Sequence, residues 1–162
     1  MSKVIAVCGV KNSGKTTLIN KLVRAYTERG LKVAVIKHDG HDFDCDIPGT
    51  DTHSFTESGA YGTACYSKDR IFVHKKARSE NAEETAKSLM ELFPEADLIF
   101  VEGLKGSSLK KIEVIRKDIS DKPASDPEGR FLIVTDLPGE KFREETAGPD
   151  DTGAIIAAID AV

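Results

Sequence analysis

A chain of 162 residues, 40% apolar and 31% charged, has the length and composition of one soluble globular domain with a continuous core. Its formal net charge of −4 provides no global basic field, which argues against nucleic acid or an anionic membrane as the main ligand. The apolar run 4–7 is too short for a signal-peptide core, and no stretch approaches the length of a membrane span. Cys8, Cys45 and Cys65 are odd in number and lack C-x-x-C spacing, so a reduced, cytoplasmic setting is expected.

Residues 3–8 are β-branched and apolar without alternation, the pattern of a strand buried on both faces. A glycine-containing loop follows. Next comes a helix whose Leu18, Ile19, Leu22, Val23 and Tyr26 recur at helical spacing, with Gly30 as its stop. Residues 33–36 read as a second buried strand. From 37 to 52 the chain is dense in Asp and His with little to bury, a long polar loop of the functional kind. A short helix is expected over 51–60, then strands over 63–67 and 71–75 joined by a tight turn at Lys68-Asp69. Asn81 and Glu84 have capping-box spacing ahead of a helix with Ala82, Ala86, Leu89, Met90 and Phe93 on its apolar stripe. Further strands are expected over 98–101, 112–115 and 131–135, with a polar loop over 117–130. A last helix over 151–162 turns Ile155, Ile156 and Ile159 inward. The alternation of strands and helices predicts an α/β fold with a mostly parallel sheet, helices on both faces and one antiparallel hairpin, as a single domain over 1–162. Ligands of such sheets gather at the carboxyl ends of strands, where Gly9, Lys37, Glu102 and Asp136 fall.

Residues 9–16, Gly9-Val10-Lys11-Asn12-Ser13-Gly14-Lys15-Thr16, match G-x-x-x-x-G-K-[ST]. Phosphates require many donors converging on one volume, and backbone N–H groups at a helix N-terminus supply them. Gly9 and Gly14 permit the tight turn, Lys15 reaches the β- and γ-phosphates, and the Thr16 hydroxyl suits magnesium. Lys11, Asn12, Ser13 and Thr17 complete the nucleotide-binding set. The expected ligand is a purine nucleoside triphosphate with Mg2+, in a P-loop NTPase fold.

Glu102 stands where a carboxylate holds magnesium or orients the attacking water, and Asp39 competes for that role. Both are the catalytic candidates. Lys37 opens onto the same crevice, facing a terminal phosphate or a second ligand. Asp136 has the chemistry to accept hydrogen bonds from guanine's N1–H and amine, which adenine lacks, favouring GTP, although no full N-K-x-D signature is present. His38, His41 and Cys45 have metal-compatible spacing, with Asp44 or Asp46 to complete a shell; a polar loop that simply contains them is the alternative. Asp51 and Thr52 read as capping residues of the short helix.

Taken together, the phosphate loop through Thr17, Lys37-His38-Asp39-Gly40-His41-Asp42-Phe43, Asp46, Pro48-Gly49-Thr50-Asp51-Thr52, Ser58-Gly59-Ala60 and Val101-Glu102-Gly103-Leu104-Lys105 resemble the molybdopterin-guanine dinucleotide biosynthesis protein B (MobB) family. The resemblance runs in order from residue 4 to about residue 136. It implies a small homodimeric GTP-binding protein of molybdenum cofactor assembly, a weak GTPase at most. Such a protein assists the guanylyltransferase that joins GMP to molybdopterin, and molybdopterin itself is a candidate ligand. A P-loop small-molecule kinase or ligase, and a metallochaperone GTPase using His38, His41 and Cys45, remain open as alternatives.

Overall fold

The computed structural model describes residues 2–39, 45–76 and 81–162. Two compact units are distinguished: residues up to His38 together with Ala82–Val162, and the intervening Asp39–Asn81.

In the larger unit, strand β1 (Lys3–Cys8) leads through the phosphate loop to helix α1 (Lys15–Glu28), then strand β2 (Val33–Lys37). After the second unit come helix α3 (Ala82–Met90) and strands β5 (Leu98–Glu102), β6 (Lys111–Ile115), β7 (Arg130–Thr135) and β8 (Glu145–Ala147), then helix α4 (Thr152–Asp160). The six strands form one sheet in the order β2-β5-β1-β6-β7-β8, every pair parallel. All their carboxyl ends therefore lie along one border.

Alternation through the strands explains how both faces are covered. Val7, Phe100, Val114 and Val134 pack with Leu18 and Leu22 of α1 and Ile155 and Ile159 of α4. Ala34, Ile36, Ile99 and Val101 face the other way, against Ala86 of α3. Strands buried on both sides must be apolar at nearly every position, as the sequence of β1 and β5 is. Among the described residues, no helix is long and apolar enough to cross a membrane.

The second unit holds helix α2 (Asp51–Glu57) and strands β3 (Gly62–Tyr66) and β4 (Ile71–Lys75), paired antiparallel in a separate two-stranded sheet. Ser67 N–H donates to Arg70 O at 2.8 Å, closing the turn expected at Lys68-Asp69. Helix α2 ends three residues before the expected 60. Its cap is Thr50, whose hydroxyl accepts from His53 N–H, one residue ahead of the expected caps Asp51 and Thr52. Asp46 Oδ1 accepts from the Thr50 and Thr52 hydroxyls and shapes the entry. The α3 helix stops at Met90, so Phe93 lies beyond it. Strand β8 was not expected: three residues beginning with Glu145 carry no periodic signal.

Candidate functional site: the phosphate loop and its strand ends

The loop geometry follows from residues that tolerate unusual backbone. Gly14 has φ 96° and Asn12 φ 64°, left-handed values that glycine and asparagine adopt with least cost. At Gly9 the constraint is also proximity: a Cβ there would stand 2.5 Å from Val114 O. Ser13 N–H donates to Val10 O, and Lys15 Nζ donates to Val10 O at 2.8 Å, so the lysine spans the loop.

What the loop presents is a helix start without a cap. Gly14, the N-cap of α1, offers no side-chain acceptor, and the first turn contains no acid. By contrast, α2 is capped by Thr50 with Asp51 in its first turn, and α4 by Asp151. The orphan N–H groups and positive dipole end of α1 are left for an anion.

Beside the loop, register fixes the next groups. Val7 pairs with Glu102, and Glu102 with Lys37, so β1, β5 and β2 bring these ends level. The Thr16 hydroxyl lies 3.2 Å from both Glu102 carboxylate oxygens. A hydroxyl and a carboxylate, from different elements, thus converge as hard oxygen donors of the kind magnesium takes. Gly103 N–H donates to Val7 O and Cys8 Sγ donates to Gly103 O at 3.0 Å, holding the Glu102 turn against β1. Burial, then the nearby Glu113, push the Cys8 thiol up to about 12, so it stays protonated and structural.

On the other side of β1, Asp136 follows β7 and its Oδ1 accepts from Lys117 N–H at 2.8 Å. This ties the ends of β6 and β7 together. Arg116, which sequence reasoning passed over, lies with its guanidinium beside Gly14. The strand-end rule that selected Glu102 and Asp136 would have selected it too, since it follows the strand 112–115. Leu104, directly after Gly103, is buried with φ 54°, a left-handed value unusual for leucine.

Lys11, Asn12, Thr16 and Thr17 are exposed on the loop and the first turn, and Ser13 is buried beneath them. Asp39 belongs to the second unit, where it is half-buried. His41, Asp42, Phe43 and Asp44 lie outside the described residues, and with them the core of the His38–His41–Cys45 metal reading. Among the described residues, no group of three or more His, Cys, Asp or Glu is arranged to hold a metal ion.

A parallel sheet whose first strand runs through G-x-x-x-x-G-K-T into an uncapped helix, with a carboxylate on the neighbouring strand end, defines the P-loop class of nucleotide-binding folds. Residues 4–136 match the family model described as molybdopterin guanine dinucleotide synthesis protein B, and the chain belongs to that family, MobB. A molybdopterin-guanine dinucleotide biosynthesis adapter protein of Escherichia coli is 33% identical over 142 residues, covering 85% of this chain and 81% of the relative. One of Haemophilus influenzae is 28% identical over 144 residues, covering 85% and 76%. In fold, the crystal structure of Bacillus subtilis MobB is similar with a TM-score of 0.74 at 21% identity, over 96% of this chain and 97% of that one.

Proposed function

We propose that this protein is a cytoplasmic GTP-binding adapter of molybdenum cofactor biosynthesis. It assists the guanylyltransferase that attaches GMP to molybdopterin, and it hydrolyses GTP weakly at most. The observation that carries the nucleotide half is the uncapped start of α1 with Thr16 and Glu102 converging beside it. The adapter half is supported by family membership and by the names of the Escherichia coli and Haemophilus influenzae relatives.

In this reading the N–H groups of residues 11–17 hold the phosphates, with Lys15 as the cation over the terminal two. Thr16 and Glu102 would hold Mg2+, whose charge offsets that of the terminal phosphates. Glu102 orients water for slow hydrolysis; Asp39 is the alternative carboxylate for that role. Lys37, level with Glu102, faces the γ-phosphate or the pterin-bearing partner. Asp136 reads guanine with its second oxygen. The chain acts as one nucleotide-binding domain with Asp39–Asn81 inserted after β2, and two copies form a homodimer.

Lys15→Ala tests the nucleotide half. Calorimetric titration with GTP and Mg2+ should show binding to the native protein and none to the variant, while the thermal unfolding midpoint of the variant is unchanged. Equal affinity in both proteins would remove the phosphate loop from the account.

A further inference from the structure

We propose that Arg116 grips the nucleotide at its α-phosphate, on the side of the phosphate loop opposite Glu102; the inference rests on the nucleotide binding proposed above.

Strand β1 has two neighbours in the sheet, β5 and β6. The end of β5 delivers Glu102 to Thr16, which marks the magnesium side and the terminal phosphates. The end of β6 delivers Arg116, and beyond it β7 delivers Asp136, where the base is proposed to lie. A nucleotide laid from Glu102 towards Asp136 passes Arg116 where the phosphates meet the nucleoside.

The guanidinium lies against the loop at Gly14. From the position a Cβ on residue 14 would occupy, Nη2 is 3.4 Å away, Nε 3.6 Å and Cζ 3.9 Å. The edge bearing Nε and Nη2, the two parallel donors that take an oxyanion side-on, is therefore the edge turned to the loop. A Cβ at 14 would make ordinary van der Waals contact with it, so what requires glycine there is the left-handed backbone angle.

The arginine is also held in place from behind. Its carbonyl accepts from Ile119 N–H and Ser120 N–H, both at 2.9 Å, while Lys117 N–H donates to Asp136. Among the described residues, its guanidinium donates no hydrogen bond. Asp150 lies near enough for its carboxyl to be influenced, but that carboxylate pairs first with Lys21 at 2.7 Å. A cation beside the positive end of α1 is unfavourable unless an anion sits between them. A phosphate is the anion this loop is built for.

The test uses titration calorimetry with Mg2+ and three ligands: GTP, GDP and the α-thio analogue of GTP as separated diastereomers. Arg116→Ala should weaken GTP and GDP by the same factor, about tenfold or more. One diastereomer of the α-thio analogue should bind the native protein more weakly than GTP, and that difference should vanish in Arg116→Ala. Arg116→Lys, which keeps the charge and loses the fork, should recover only part of the affinity. A loss confined to GTP would assign Arg116 to the terminal phosphate and overturn the proposal. So would an α-thio effect that persists unchanged in the alanine variant, as for a merely structural role. Native-like affinity in Arg116→Ala alongside lost binding in Lys15→Ala overturns this inference alone. Absence of binding to the native protein overturns the nucleotide reading with it.

Discussion

Thr16 and Glu102 are 86 residues apart in sequence and meet because β1 and β5 pair in register, Val7 opposite Glu102. The same logic brings Lys117 to Asp136, whose other oxygen is the one proposed to read guanine. Asp136→Asn keeps an acceptor for Lys117 N–H while turning a donor towards guanine's own donors. GTP affinity should fall by about 1–3 kcal/mol, the loss of charge-assisted hydrogen bonds to guanine, with ATP affinity nearly unchanged. Competition titrations with both nucleotides check this; equal weakening would leave Asp136 as a clamp between strands only. The phosphate loop was readable in the sequence because phosphate chemistry fixes both residue type and spacing. Arg116 was passed over although it follows the strand 112–115; what singles it out is its place beside Gly14, a cross-strand relation that no local pattern records.

At the scale of elements, most buried strands and amphipathic helices were legible from composition and period; β2, expected to be buried, is an edge strand with Val35 42% exposed, and the other exceptions are short or polar. The β8 strand is one. It is held at the sheet edge by Arg130 at the start of β7, whose Nε donates to Glu144 at 2.6 Å and whose Nη1 donates to Ser125 O at 2.7 Å. Burial alone would push the Glu144 carboxyl up, but the Arg130 hydrogen bond and charge, with backbone N–H groups, hold it below the usual carboxylate range. A depressed folded-state value contributes stability above the unfolded value and loses it as pH falls through the folded one. Glu144→Gln should therefore lower stability near neutral pH by about 1–3 kcal/mol. It should also flatten the decline in thermal midpoint between about pH 5 and pH 3. An unchanged acid slope would mean that the pair contributes nothing to β8. Within β6 itself, buried Lys111 donates to Ser107 O and Glu113 accepts from Ala124 N–H at 2.7 Å. These two polar residues, anomalous in a core strand, strap the loops that lead to and from the site.

For the whole molecule, the second unit carries exposed apolar side chains. Tyr66 is 83% exposed and Ile71 80%, with Phe55, Tyr61 and Val73 also exposed. A two-stranded sheet of this size is marginal alone, and apolar side chains gathered on it suit burial against another chain. This surface supports the proposed homodimer, which the sequence suggested only through family resemblance. Light scattering at micromolar concentration should report twice 17.6 kDa, and replacing Tyr66 and Ile71 with Lys should return the monomer. A native protein of 17.6 kDa would contradict the dimer. The central claim, that nucleotide held by the phosphate loop serves cofactor assembly, is tested most directly by reconstitution. Guanine dinucleotide cofactor formation is followed with the partner guanylyltransferase, molybdopterin, GTP and Mg2+, with and without this protein. The native protein should increase the yield, and Lys15→Ala, folded to the same thermal midpoint, should not. Equal stimulation by both, or none by the native protein, would contradict the account.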